Sequence, residues 1–318
     1  MAPHRIDTHH HPYPPVYIEK TREVLRHTTH AFYDRLTKWH PSQAVEAMDR
    51  DGIAVSVLSV STPSVWLGDA TASRVFAREV NEAAARIQSD YKGRFGHFAA
   101  LPLPDVDGCL REIDHAFGKL RADGIALCTN YVDKYPGDEA FAPVFEELNR
   151  RRAVVYFHPT AASFAFNVIP NIPPPSIEFP FDTTRAITSL MFSGTFHRCP
   201  DIKWIFSHGG GALGMVANRL VGLAKNRPEL GVRVPNGVMH ELSKLYLDVV
   251  GVTTTGALRA VLDIVPLSHL LFGTDFPFWP PDNTIKGLAA LKLSAADLRA
   301  IERDNALRLL PGLPHQAA

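Results

Sequence analysis

Cysteine is scarce in this 318-residue chain, which holds only Cys109, Cys128 and Cys199. An odd number without CxxC spacing excludes a disulfide framework and offers no thiolate zinc site. Excess charge is missing too: 33 Lys plus Arg stand against 33 Asp plus Glu, so no net field draws the chain to nucleic acid or to an anionic membrane. A small-molecule partner is expected instead. No run of about eighteen apolar residues occurs, and the first ten residues lack the apolar stretch of a secretion signal. A cytoplasmic protein is therefore expected. Low-complexity linkers are absent, and 46% hydrophobic residues suffice for one large core, so a single domain over 1–318 is expected.

What the chain does have is a rhythm. Eight short apolar, β-branched runs read as strands buried on both faces: Arg5 to His11, Val55 to Ser61, Phe95 to Leu101, Gly124 to Thr129, Ala153 to His158, Ile202 to His208, Lys244 to Val250 and His269 to Asp275. Segments of helical period lie between them, such as Phe76, Val80, Ala83, Ala84 and Ile87, or Leu213, Val216, Leu220 and Leu223. Strand then helix, repeated eight times, predicts an α/β fold, the (β/α)8 TIM barrel. Two stretches break the rhythm and are expected as inserted loops after strands 1 and 5. Residues 12–41 show no clear period, with His27, His30 and His40 scattered through them. Residues 161–182 are rich in proline and carry Phe164, Phe166, Phe179 and Phe181. Such long loops inside a compact domain are commonly functional, and the second is expected to wall a pocket.

The fifteen histidines matter by position. Four segments end an apolar run with a metal-binding or acid/base side chain: RIDTHHH (Arg5 to His11), VVYFHPT (Val154 to Thr160), WIFSHGGG (Trp204 to Gly211) and LLFGTDFPF (Leu270 to Phe278). Residues so distant in sequence converge only if neighbouring strands point the same way. Strand alternation sends His9 and His11 to one face and His10 to the other, so His9 and His11 can share one ion, for which neutral imidazole is a common ligand. His158 ends a buried strand and is a candidate third ligand. Glycines let a ligand approach His208 closely, which makes it a ligand or a general acid/base. A buried, unpaired Asp275 would be costly, and a bound cation removes that cost. Asp248 ends the seventh run, with either a supporting or a plain hydrogen-bonding role.

Taken together and in this order, IDTHHH, VVYFHPT, SHGGG and GTDFPF resemble the amidohydrolase superfamily, and within it the branch of metal-dependent decarboxylases acting on aminocarboxymuconate semialdehyde and on ortho-hydroxybenzoates. The resemblance spans nearly every strand, and DNALRLL around Asp304 is similar to the family's closing helix. It implies that His9, His11, His158 and Asp275 are metal ligands and that His208 is the catalytic histidine. It implies one divalent ion, with Zn2+ favoured over Mn2+, and a homodimer or homotetramer in which Arg219 reaches a neighbour's active site. Two details bear on the substrate. Phe32 stands where the semialdehyde enzymes carry a carboxylate-binding arginine, with Arg35 nearby but not aligned. The segment FPFDTTRAITSLMFSGTFHRCPDIK, residues 179–203, is similar to the 6-methylsalicylate-type members.

The expected activity is that of a carbon–carbon lyase: non-oxidative decarboxylation of an aromatic carboxylic acid, with an ortho-hydroxybenzoate as the leading substrate. His208 or Asp275 would protonate the ring carbon, Arg219 would complete the site, and Phe164, Phe181 and Trp279 would bind the ring. Alternatives at this point are a hydrolase of a lactone or amide using metal-bound hydroxide, a semialdehyde decarboxylase, and a non-catalytic metal-binding barrel.

Overall fold

The computed structural model describes residues 3–28, 32–132, 134–165 and 168–313. His30 and Phe166 lie outside the described residues. Eight strands run in sequence order: β1 (Arg5–His10), β2 (Ile53–Leu58), β3 (Phe95–Ala100), β4 (Gly124–Cys128), β5 (Val154–His158), β6 (Lys203–Phe206), β7 (Tyr246–Asp248) and β8 (Leu270–Leu271). Each pairs in parallel with the next. The ring closes between its ends, where the Thr8 N–H donates to the Phe272 carbonyl at 3.0 Å and the Asp275 N–H to the His9 carbonyl at 2.9 Å. The (β/α)8 barrel expected from the rhythm is the fold.

Strands such as IAVSVL in β2 and VVYFH in β5 are buried along their whole length, as a parallel sheet covered by helices requires. Because every strand points the same way, all eight carboxyl ends open on one mouth, and the side chains of all four motifs are delivered there. Gly273 makes the closure tight. A Cβ at this position would stand 2.8 Å from that of His9, so only a residue without one lets the last segment run against β1.

The strands are shorter than expected, β8 most of all. His269 belongs to a preceding short turn, and the paired strand stops at Leu271 although the chain stays beside β1. At Asp275 the backbone turns to φ 58°, a left-handed conformation that cannot continue a strand. Residues 12–41 also differ from expectation, being mostly helical: Pro15–Thr28 and Tyr33–Thr37, with Pro41–Arg50 following. Proline opens the first and third of these, where the N–H it lacks would have had no partner anyway, and Tyr17, Ile18, Thr21 and Leu25 form the buried face of the first. Of the prolines that suggested a loop, Pro15 and Pro41 are helix starts. The second insertion keeps its loop character only as far as Ile177, because the helix Glu178–Phe192 takes in its last residues.

Candidate active site

The mouth of the barrel gathers His9, His11, His158, His208 and Asp275. Ligand atoms of His9, His158, His208 and Asp275 lie within 4.8 Å of one another. His11 joins them, its Nε2 standing 3.0 Å from His9 Nε2 and 3.1 Å from Asp275 Oδ1. The second carboxylate oxygen, Oδ2, faces His208 Nε2 at 3.4 Å. The expected alternation holds: His10 points the other way, stacks on Phe276 with ring centres 4.8 Å apart and meets Asp7 at 3.0 Å.

The outer nitrogens set the tautomers. His9 Nδ1 meets Asp248 Oδ2 at 2.8 Å, His11 Nδ1 meets the Ser59 carbonyl at 2.8 Å, and His158 Nδ1 meets the Pro159 carbonyl at 2.9 Å. Each contact calls for an N–H on Nδ1, which leaves a lone pair on Nε2 when the ring is neutral. Two such lone pairs 3.0 Å apart repel unless something positive lies between them. Imidazoles held by acceptors on the far side, converging with a carboxylate, form the donor set of a divalent cation. The residues therefore fit such an ion.

The same crowding governs the charges. Burial disfavours a charged His9, but Asp248 and Asp275 outweigh it and push His9 up to about 10. Burial leads in lowering His11, and it holds His158 well below the ordinary imidazole range with the help of the neighbouring histidines. Burial alone would raise Asp275; the charge of His9, with His11 and His208 packed against the carboxylate, prevails and holds it well below the carboxylate range. A proton on one ring thus does part of what a cation would do. His208 and Asp275 both adopt positive φ, 55° and 58°. Outside glycine this costs energy and persists only where the surroundings enforce it.

Asp248, left open by the sequence, is the residue that orients the others. It is fully buried, binds His9 through Oδ2, and accepts through Oδ1 from the backbone N–H groups of His208 at 2.9 Å and Val250 at 3.0 Å. One carboxylate thereby sets both a ring and the turn that carries another. Asp7 had no place in the sequence reading. It accepts from the His9 N–H at 3.1 Å and from Thr274 N at 3.0 Å and Oγ1 at 2.6 Å, tying β1 to the segment that carries Asp275. A buried carboxylate two residues before the His-x-His was the only available signal.

The aromatic expectations shift. Phe164, Phe181 and Trp279 are 60%, 46% and 52% exposed, and among the described residues the rings that meet the cluster are others. Phe164 instead lies under the Arg185 guanidinium, 5.5 Å from ring centre to carbon. The rings at the cluster are Tyr156, edge-on to His9 at 5.6 Å, Phe278, edge-on to His11 at 5.8 Å, and Phe179, edge-on to His158 at 6.0 Å. Phe32 packs edge-on against Phe278 at 5.5 Å, and Arg35 beside it donates to the Pro277 carbonyl at 3.0 Å. Arg219 is exposed on the helix Leu213–Asn226 and is not brought to the cluster of its own chain. A cavity of about 210 Å³ is lined by Trp204, Tyr246 and His269 at the amino ends of β6 to β8, the far end of the barrel from this chemistry.

The chain matches the amidohydrolase family over residues 6–312. It is 34% identical to the decarboxylase yanB of Aspergillus niger, across 96% of this chain and 87% of that protein. It is 31% identical to a 6-methylsalicylic acid decarboxylase of Penicillium expansum, across 97% of each. In fold it superposes on a crystal structure of 2,6-dihydroxybenzoate decarboxylase complexed with 2,6-dihydroxybenzoate with a TM-score of 0.85, covering 98% of this chain and 100% of that one at 22% identity. No helix among the described residues is long and apolar enough to cross a membrane.

Proposed function

The chain belongs to the amidohydrolase family, and from that premise we propose that it is a metal-dependent, non-oxidative decarboxylase of an aromatic carboxylic acid, with an ortho-hydroxybenzoate as substrate. The convergence of imidazole lone pairs on Asp275 at the barrel mouth carries this reading. The decarboxylase relatives that span almost the whole chain support it. So does Phe32, which leaves no arginine at the position used by semialdehyde enzymes and packs on Phe278 instead.

His9, His11, His158 and Asp275 would hold the ion, zinc by preference for a site rich in imidazole, with manganese as the other outcome of metal analysis. When bound, the cation supplies positive charge that holds the carboxylate and ortho oxygen of the substrate and offsets charge developing on the ring. Asp7 and Asp248 fix the donors. His208 carries the catalytic proton. Its Nε2 faces Asp275 Oδ2, while Oδ1 of that carboxylate is engaged by His9 and His11, so Asp275 positions the proton and His208 delivers it to the ring carbon bearing the carboxylate. The bond to the carboxylate then breaks, its electron pair restores the aromatic ring, and CO2 leaves. Phe179 and Phe278 line the site beside the histidines, with Phe164, Phe181 and Trp279 at its rim.

Arg219 would act in a neighbouring subunit of a homodimer or homotetramer. Its helix also presents Met215 at 81% exposure, an apolar surface suited to burial between copies. We place the protein in the cytoplasm. The test is CO2 release from metal-loaded protein over a series of ortho-hydroxybenzoates. Protein with its metal in place that releases none from any of them defeats the proposal.

A further inference from the structure

Tyr13 stands two residues after His11 and is 1% exposed. Its hydroxyl has no hydrogen-bond partner among the described residues. The Ser61 hydroxyl is near enough to influence it but lies outside hydrogen-bond geometry, and Ser61 Oγ is turned toward His158 Nδ1 at 3.5 Å. The neighbouring Tyr17 makes the contrast. It is equally buried, yet its hydroxyl donates to the Ser61 carbonyl at 3.0 Å. Two phenols side by side, with ring centres 5.7 Å apart, thus have opposite standing, one satisfied by the fold and one left open. A buried hydroxyl without a partner is uncommon in folded proteins, and each instance asks for a reason.

The position of Tyr13 supplies one. Its ring lies edge-on to Phe278 at 6.2 Å, and Phe278 in turn meets His11 at 5.8 Å, so the phenol belongs to the wall of the mouth. A phenol O–H left without an acceptor beside a cation site suits one that arrives with the ligand, and an aromatic acid brings one in its ortho oxygen.

We propose that Tyr13 is a specificity-determining residue whose hydroxyl donates a hydrogen bond to the oxygen ortho to the carboxylate of the bound aromatic acid. This rests on the aromatic-acid reading given above. A site built to hydrogen-bond a ligand oxygen discriminates strongly against the analogue that lacks it. Tyr13 thus sharpens the choice between a salicylate and a benzoate beyond what the cation's hold on the ortho oxygen gives.

The experiment compares the affinity of metal-loaded wild type, Tyr13→Phe and Tyr17→Phe for salicylate and for benzoate by calorimetric titration. For Tyr13→Phe, salicylate binding is expected to weaken by about tenfold or more while benzoate binding and the thermal midpoint hold. For Tyr17→Phe, the midpoint is expected to fall while the salicylate-to-benzoate ratio is kept. An equal loss for both ligands in Tyr13→Phe, or no loss for either, overturns the proposal. So does a drop in its midpoint like that of Tyr17→Phe, which would reveal a structural hydrogen bond. Because binding is read without turnover, failure to release CO2 from any hydroxybenzoate would sink the decarboxylase reading and still leave the Tyr13 comparison decisive.

Discussion

Two groups of histidines are buried equally deeply and differ in where their Nε2 atoms point. His10 and His97 face outward from the strands, and each has one polar neighbour: Asp7 at 3.0 Å from His10 Nδ1 and Gln88 at 2.7 Å from His97 Nδ1. Their Nε2 atoms have no hydrogen-bond partner among the described residues and meet no other imidazole. His9, His11 and His158 face inward, also hold an acceptor on Nδ1, and turn their Nε2 atoms toward one another and Asp275. Burial of an imidazole thus says little about its role. Convergence of lone pairs, which costs energy unless a cation offsets it, separates a candidate ligand from a structural histidine.

The comparison breaks most sharply at Asp275. Asp275→Asn is expected to lose both bound metal and measurable decarboxylation, by metal analysis and CO2 release; a variant keeping both would show that the inward group needs no carboxylate. His208→Ala is expected to retain metal while turnover falls by about 10²–10⁴-fold. Metal loss in that variant would move His208 from proton carrier to ligand.

The outward group gives a stability prediction instead. Burial lowers His97 to about 4, so the folded state keeps it neutral where the unfolded chain takes up a proton. Its contribution is fully present above pH 6.5 and is lost as pH falls from 6.5 through 4, by about 3 kcal/mol at most. Asp123, which accepts from the His97 N–H at 2.9 Å, works in the opposite direction, since burial raises it to about 6. Its share falls as pH rises from 3.8 through 6. Urea unfolding of His97→Gln beside wild type at pH 7 and pH 4.5 isolates the histidine, and the stability of the variant relative to wild type is expected to rise on going from pH 7 to pH 4.5. The smallest effect is expected for Asp248→Asn. With the partner of His9 weakened, metal affinity should fall by roughly 10–100-fold, measurable by competition with a chelator, and unchanged affinity would mean that His9 is oriented by packing alone.

Much of this was legible in the chain alone. The strand–helix rhythm implied the barrel, and the period-2 alternation of β1 separated His9 and His11 from His10. Other parts were hidden for identifiable reasons. Pro12, Pro14 and Pro15 looked like loop punctuation, but Pro15 takes the first helical position, where a proline is harmless, and the period of Tyr17, Ile18, Thr21 and Leu25 was already in the chain. Phe164 and Phe179 looked alike as loop aromatics. Only the helix Glu178–Phe192 turns Phe179 onto His158 while Phe164 stays in solvent. Asp248 could not be assigned from its own strand, because its partners, His9 and the backbone of His208, lie 239 and 40 residues away.

By itself, then, the sequence determined which side chains share a strand face and which strands follow one another, because backbone geometry makes both periodic and local. The tertiary structure alone decided how those faces meet: that β8 closes on β1 through a glycine against His9, that Asp248 serves two histidines at once, and that the Tyr13 hydroxyl is left open while that of Tyr17 is not. These outcomes depend on distances between residues far apart in the chain, which ring closure and packing impose and no local pattern encodes.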